Sequence, residues 1–309
     1  MRTDVECLPC LLRQALQVAR ITNCSGDQQL HIAQAVCLLI AKMDVEKSPP
    51  ANAGPIYQKI AQITSCEDPY YNKKSENNEQ AMKIVSCLRR EIGGSDQELS
   101  SAVRFTIAGN IIDYGAFENF DIEAALKRCR TAQLAVDHLA YFFDALNRLR
   151  KGSTLLYLAD NCGEIVYDSL LIENLYRRGF EIVIAVKDGP IINDALVEDA
   201  LFAGLDKYGR IITNGCRYPG TELDECSEQF LDIFNSADLV IAKGQGNFES
   251  LSEVDRPIFF LLTIKCPVAA RHMSVLNGLS ADKLAGKGEM AVYYSGKDKL
   301  KGGSNEDTH

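Results

Sequence analysis

Four loops in the second half of the chain place Asp, Asn or Lys beside Gly, each where a short apolar run ends. These loops are 160–164 (Asp-Asn-Cys-Gly-Glu), 187–194 (with Lys187, Asn193 and Asp194), 214–215 (Asn-Gly) and 243–249 (Lys-Gly-Gln-Gly-Asn-Phe-Glu). One such loop is what an ordinary turn or helix cap uses. Four in succession favour a binding site.

The residue types in these loops indicate a metal ion bridged to a phosphate. Asp160, Asn161 and Asp194 offer oxygen ligands suited to a hard cation such as Mg²⁺ or Mn²⁺. Lys187 and Lys243 are cations that can hold a phosphoryl group beside that metal. Glycines allow a ligand to approach the backbone, and helix N-termini after the loops add N–H groups that bind anions.

A parallel sheet is the scaffold that would bring these loops together. After residue 152 apolar runs alternate with amphipathic stretches, and they predict strands over 155–159, 181–186, 210–213, 239–242, 258–263 and 290–294. Nearly continuous apolar strands separated by helices are typical of a sheet covered on both faces. Ligands bind such sheets at the carboxyl ends of the strands, which is where the four loops lie.

The first half of the chain has helical periodicity instead. Apolar spacing predicts helices over 8–19, 30–43, 78–92, 99–111 and 122–149, and Pro49-Pro50 predicts a turn. We therefore expect an all-helical N-terminal domain over 1–150 and a mostly parallel, doubly wound, Rossmann-like α/β domain over 151–300. The α/β domain would bind the metal and the phosphate, and 301–309 would form a polar tail.

Composition narrows the classes of function. The 309-residue chain has a formal net charge of −9, which disfavours binding to nucleic acid or to an anionic membrane surface. No apolar run approaches the roughly 20 residues that span a bilayer, and the N-terminus lacks a signal-peptide pattern. Eleven scattered cysteines, an odd number, suit a reducing compartment. We expect a cytoplasmic protein whose partner is a small phosphorylated metabolite; its oligomeric state stays open.

Other phosphate and nucleotide motifs fit poorly. Gly244-Gln245-Gly246 begins like a dinucleotide fingerprint, but Glu249 stands where the third glycine is required. The sequence contains no Walker A motif. Cys162 occupies the position, two residues after Asp160, where an aspartyl-phosphate enzyme of the haloacid-dehalogenase type has a second Asp.

The same residues resemble the damage-control phosphatase family. The resemblance rests on the loops at 160–164, 193–194 and 243–249, on 108–113 (Ala-Gly-Asn-Ile-Ile-Asp), and on Asn214-Gly215 followed by 219–221 (Pro-Gly-Thr). Cys7-Leu8-Pro9-Cys10 and Lys265-Cys266 resemble the prokaryotic branch with an N-terminal CxxC. The resemblance implies metal-dependent hydrolysis of small phosphometabolites, such as sugar phosphates, in a house-cleaning role. The metal would be Mg²⁺, Mn²⁺, Co²⁺ or Ni²⁺.

Residue roles follow from the resemblance. Asp160, Asn161 and Asp194 would hold the metal, and Lys243 would bind the phosphate. Asn110 and Asp113 would reach the cleft from the helical part, and either Asp194 or Asp113 would accept the proton of the attacking water. The candidate catalytic residues are thus Asp160, Asp194, Lys243 and Asp113. The candidate substrate-binding residues are Asn110, Glu164, Lys187, Asn193, Asn214, Gly244, Gly246, Asn247 and Glu249.

Two questions stay open at the level of sequence. Cys7 and Cys10 share one face of a helix, so they are either buried in packing between domains or part of a metal or redox site with Cys266. The sheet edge would also suit a carboxyl methyltransferase that uses S-adenosylmethionine. A third alternative is a protein that binds phosphometabolites without turnover.

Overall fold

A computed structural model describes residues 1–92, 98–109 and 133–296. Within these ranges the protein has a seven-stranded sheet and eleven α-helices. The strands are β1 Val136–Asp137, β2 Thr154–Leu158, β3 Glu181–Val186, β4 Arg210–Thr213, β5 Leu239–Lys243, β6 Phe259–Ile264 and β7 Glu289–Tyr294. The helices are α1 Cys7–Ile21, α2 Gly26–Ile40, α3 Pro49–Thr64, α4 Tyr71–Ile92, α5 Glu98–Ala108, α6 Leu139–Arg148, α7 Glu164–Arg177, α8 Val197–Phe202, α9 Glu228–Ser236, α10 Gly244–Leu251 and α11 Pro267–Leu276. The predicted fold class, an α/β sheet preceded by a helical part, is confirmed.

The order in which the chain adds strands to the sheet reverses between β2 and β5. The strand order is β1-β7-β6-β5-β2-β3-β4, and all neighbouring pairs are parallel except β6 and β7. From β2 the chain proceeds outward through β3 and β4, then crosses back to β5 on the other side of β2. Such a reversal opens a crevice at the carboxyl ends of the two strands, where ligands bind in α/β proteins.

The two faces of the sheet are buried against different helices. Leu155 and Tyr157 of β2 point into a core shared with α4 to α8, whereas Leu156 and Leu158 point into a second core shared with α9, α10 and α11. Alternate side chains of a strand point to opposite faces, so a strand covered on both sides must be apolar throughout. This explains the unbroken apolar runs in the sequence.

Helices α1, α2 and α3 form a third core around Val18, Ile32 and Ile56. The predicted turn at Pro49-Pro50 is wrong, because these prolines are the first two residues of α3. A proline there gives up an N–H that would have no partner within the helix. The hydroxyl of Ser48 caps the next free donor by accepting the N–H of Ala51 at 3.0 Å.

Other element boundaries also differ from the prediction. Apolar spacing in the second half predicts a helix over 192–202, but α8 begins only at Val197, because the preceding residues pair with the loop after β2. The sequence does not predict α11. Of the predicted helix over 122–149, the described residues contain β1 and α6. The predicted tail at 301–309 lies outside the described residues. No described helix is both long and apolar enough to cross a membrane.

Candidate active site

Two loops of the sheet are joined by a short backbone bridge that brings the predicted metal ligands together. Asn161, after β2, pairs with Asp194 in an antiparallel β-bridge. The N–H of Ala195 donates to the carbonyl of Asp160, and the N–H of Cys162 donates to that of Asn193, both at 2.8 Å. Backbone pairing thus fixes the two acidic loops against each other.

Asp160 and Asp194 are both buried, and the nearby lysines offset only part of the cost of ionising them. Asp160 is 7% exposed and Asp194 is 3% exposed. Burial, reinforced by Glu164, raises the pKa of Asp160 to about 7. Burial also raises the pKa of Asp194 well above its ordinary value, although Lys187 opposes the shift. Two buried carboxylates with raised pKa values mark a place where a cation would be stabilised.

The donor set fits a hard divalent cation. Asp194 Oδ2 is buried and has no hydrogen-bond partner among the described residues; the nearest cation, Lys187 Nζ, lies 3.7 Å away. The described ranges contain no group of three or more His, Cys, Asp or Glu residues placed to hold a metal. A cation here would therefore use Asp160, Asp194, Asn161 and oxygens from phosphate and water. This mixture is typical of Mg²⁺, which keeps several waters.

Lys243 lies in a buried ion-pair network. It is fully buried, and Nζ donates to Glu164 Oε1 at 2.5 Å, to Asp168 Oδ1 at 2.6 Å and to the carbonyl of Thr106 at 3.1 Å. Burial alone would lower the pKa of Lys243, but the two carboxylates raise it above its ordinary value. An ammonium has three donors, so this geometry leaves none for a phosphate. The direct phosphate contact of Lys243 stays a prediction.

Glu164 connects this network to the loop at 160–164, which carries the predicted metal ligands Asp160 and Asn161 and is called the metal loop below. It is the first residue of α7, and its carboxylate accepts from Lys243 and, at 3.3 Å, from Asn161 Nδ2. Asn161 Nδ2 also donates to Asp160 Oδ2 at 2.6 Å. Asn78 of α4 accepts the N–H of Gly163 at 2.6 Å, which fixes the turn before the helix. The ion pairs of Lys243 therefore support the metal loop through Glu164.

Several predicted substrate-binding residues hold loops together. Lys187 Nζ donates to the carbonyl of Gly220 at 2.5 Å. The side chain of Asn214 accepts the N–H of Cys216 at 3.1 Å. Asn247 Nδ2 donates to the carbonyls of Lys243 and Ala159, which joins the ends of β5 and β2. Lys187, Asn214 and Asn247 are each buried and do not line the cavity described below.

The two predicted glycines occupy places where a side chain does not fit. Gly244 has a φ of +77°, and a Cβ atom there would overlap the Asp160 carboxylate. A Cβ atom at Gly246 would overlap the carbonyl of Pro219. Both positions require glycine because the backbone of α10 lies directly against neighbouring loops.

A cavity of about 600 Å³ opens beside the metal loop, between the helical part and the sheet. Of the predicted site residues, Asn161, Glu164 and Asn193 line it. The predicted residues Asn110 and Asp113 lie outside the described residues. The other lining residues are Gln14, Gln17, Tyr57, Tyr70, Lys73, Asn77, Gly109, Cys162, Ile192, Thr263, Lys265, Gly286, Lys287 and Gly288.

Sequence reasoning missed most of this cavity wall. Lys265 follows β6, and its charge lowers the pKa of Asp160, so it acts on one of the two predicted metal carboxylates. The position of Lys265 directly after a predicted strand is the signal that could have identified it as a site residue. Tyr57 and Gln14 lie on helices and are joined by a hydrogen bond of 2.8 Å. Polar residues on amphipathic helices normally face solvent, so nothing in their spacing marked them.

Of the two cysteines in the CxxC motif, Cys7 lies near Glu249 and Cys266. Burial raises the pKa of Cys7 to about 11, with further contributions from Glu249 and Cys266. Burial raises the pKa of Glu249 to about 7, although a hydrogen bond from Gln245 at 2.7 Å opposes the shift. The described positions of these side chains do not form a metal-binding group. A second metal at Cys7, Cys10 and Cys266 stays a prediction.

Comparison with known proteins identifies one family. A family model for the ARMT1-like damage-control phosphatase domain matches residues 3–279. The damage-control phosphatase PH1575 of Pyrococcus horikoshii is 37% identical over 282 residues, which cover 90% of this chain and 96% of that protein. A damage-control phosphatase of Archaeoglobus fulgidus is 32% identical over 89% of this chain and 96% of its own length. The crystal structure of the DUF89 family protein PH1575 superposes with a TM-score of 0.84 and covers 96% of this chain and 99% of that one, at 32% identity.

Proposed function

Because the chain belongs to the ARMT1-like damage-control phosphatase family, we propose that it is a metal-dependent phosphatase acting on small phosphometabolites such as sugar phosphates. One observation carries this proposal. Asp160 and Asp194 are buried together beside the cavity, and Asp194 Oδ2 has no hydrogen-bond partner among the described residues. Two buried carboxylates whose pKa values are raised despite nearby lysines are costly to ionise without a further cation and are stabilised by one.

Asp160, Asn161 and Asp194 would hold the divalent metal. When bound, such an ion neutralises charge on the phosphoryl oxygens and orients or acidifies the attacking water. The bridge between the two loops keeps the carboxylates in place before substrate arrives, so little reorganisation is needed. The residues fit Mg²⁺, Mn²⁺, Co²⁺ or Ni²⁺, since all accept oxygen ligands.

Two groups would balance charge on the phosphoryl group as the ester bond breaks. Lys265 lines the cavity and acts electrostatically on Asp160, so its ammonium lies within range of a phosphate bound there. The first turn of α10 begins beside Asp160, and the N–H groups of a first helical turn have no partners within the helix. We assign both groups to the equatorial oxygens.

The attacking water must lose a proton to a nearby carboxylate. Asp194 is the described candidate, because its Oδ2 has no donor. Asp113 remains the second candidate from the sequence. Asp113→Asn removes the basicity of that side chain without changing a predicted metal ligand, so full activity in this variant would leave Asp194 as the base.

The experiment is release of inorganic phosphate from p-nitrophenyl phosphate and a panel of sugar phosphates. Metal-free protein would be compared with protein given Mg²⁺, Mn²⁺, Co²⁺ or Ni²⁺. The proposal expects turnover that requires metal and is abolished by Asp160→Asn, with Asp188→Asn as a control in a neighbouring loop. Folded wild-type protein that binds metal but releases no phosphate from any ester would refute the proposal.

A further inference from the structure

The loop that carries Lys287 has a fixed backbone that positions this one positively charged side chain at the cavity. Gly286 and Gly288, on either side of it, have φ values of +70° and +103°. The carboxylate of Glu289 accepts the N–H of Ala285 at 2.7 Å and that of Lys287 at 2.6 Å. A Cβ atom at Gly286 would overlap the backbone of Cys266. The backbone around Lys287 is therefore fixed, while its side chain is exposed and lines the cavity.

A second lysine lines the same cavity from the helical part. Lys73 lies in the first turn of α4 and is exposed. No carboxylate of the described residues forms an ion pair with Lys73 or Lys287. The one acidic side chain among the described lining residues is Glu164, which is paired with Lys243. In a chain of net charge −9, this part of the surface attracts anions.

These two lysines differ in exposure from the predicted metal carboxylates. Lys73 and Lys287 line the cavity and are exposed to solvent. Asp160 and Asp194 are instead buried, with exposed fractions of 7% and 3%. The two ammonium groups therefore lie on the solvent-facing side of the cavity, where the leaving part of a substrate would extend.

We propose that Lys287 and Lys73 select phosphate esters whose leaving group carries a second anionic group, a phosphate or a carboxylate. This inference rests on the proposed function and adds a specificity determinant to it. The cavity volume of about 600 Å³ accommodates a phosphorylated sugar with a second charged end. The fixed backbone at Lys287 reduces the ordering needed when that anion binds.

The test compares glucose 1-phosphate with glucose 1,6-bisphosphate. Steady-state phosphate release would be measured for wild-type protein, Lys287→Met, Lys73→Met and the double variant. Lys283→Met and Lys83→Met are matched controls, because both lysines are exposed, lie near the tested positions in sequence and do not line the cavity. We expect the wild type to prefer the bisphosphate. Each cavity variant should lower kcat/KM for the bisphosphate about fivefold, chiefly by raising KM. The same variants should change kcat/KM for the monophosphate by less than about twofold.

A binding measurement keeps the inference separate from catalysis. Calorimetry on EDTA-treated protein would compare the affinities for the same two sugars without turnover. A preference for the bisphosphate that Lys287→Met removes supports the inference, even if no ester is hydrolysed and the proposed function fails. Equal wild-type affinity and equal kcat/KM for the two sugars would overturn it. The inference would also be overturned if the cavity variants lost affinity and kcat/KM equally for both sugars, or if the control variants had the same effects as the cavity variants.

Discussion

The backbone of Gly244 lies against the carboxylate of Asp160, so closely that a Cβ atom at position 244 would overlap Asp160 Oδ2. The two residues follow adjacent parallel strands, and the register that pairs Leu158 with Ala242 places them side by side. The position of Asp160, a predicted metal ligand, is thus set by the pairing of β2 with β5. Four predictions follow from this and the other contacts of the site.

Gly244→Ala should displace the Asp160 carboxylate. We expect kcat/KM to fall by about 100-fold, because a shift of about 1 Å in a catalytic group has effects of that size. Gly278→Ala is the control: its φ of +66° imposes a similar backbone cost, but no atom lies within 4 Å of the added Cβ. Thermal unfolding and phosphate release would be measured for both. Equal activity losses in the two variants would contradict the proposed contact.

Asp194→Asn should change stability in opposite directions with and without metal. In metal-free protein the substitution removes a buried carboxylate whose ionised form is disfavoured, so Tm should rise. Wild-type protein should gain about 2.7 kcal/mol when metal is present at about 100 times its Kd, whereas the variant should gain little. Thermal unfolding in EDTA and in Mn²⁺ checks this. The same gain from Mn²⁺ in both proteins would exclude Asp194 as a ligand.

Lys243→Met should lower the free energy of unfolding and not only slow the reaction. It leaves the buried carboxylates of Glu164 and Asp168 without their cation, which costs about 3–5 kcal/mol in comparable cases. Lys265→Met is the contrast, because Lys265 is exposed at the cavity and should lower kcat/KM by about 100-fold with little change in Tm. Denaturant unfolding and phosphate release separate the two. An unchanged free energy of unfolding in Lys243→Met would favour the direct phosphate contact predicted from the sequence.

Glu249 should make stability depend on pH. Burial raises its pKa from 4.5 to about 7, so the folded protein holds this proton more tightly than the unfolded chain. The resulting stability is fully present below pH 4.5 and is lost as pH rises through about 7. Glu249→Gln should reduce the loss of unfolding free energy over this pH range by about 3 kcal/mol, and the new amide keeps a hydrogen-bond partner for Gln245. Denaturant unfolding at several pH values would show it; parallel curves for variant and wild type would contradict it.

The sheet could be predicted because its strands are buried on both faces. The runs at 181–186 and 210–213 coincide with β3 and β4, and the other predicted strands differ from the structure by one residue at one end or at both. The sequence does not predict helix α3, because the two prolines at its start are also typical of a turn. The local sequence allowed both interpretations, and the packing of α3 against α1 and α2 decides between them.

The acidic part of the site was also visible in the sequence, but the roles of the lysines were not. Asp160 and Asp194 follow strands, so their convergence follows from topology. Whether a lysine after a strand turns into the core depends on its neighbours. Glu164 and Asp168 are four residues apart on α7, so they face one way and form a buried acceptor for Lys243. That spacing was the available signal.

The cavity has walls of two origins, with Gln14, Tyr57 and Lys73 from α1, α3 and α4, and the carboxylate loops from the sheet. The predicted metal ligands therefore come from the loops of the sheet, whereas both halves of the chain supply residues that would contact the rest of a substrate, with Lys73 from α4 and Lys287 from the loop before β7. Substitutions on the inward sides of α1, α3 and α4 can alter which ester is accepted while the loops that carry Asp160 and Asp194 remain intact.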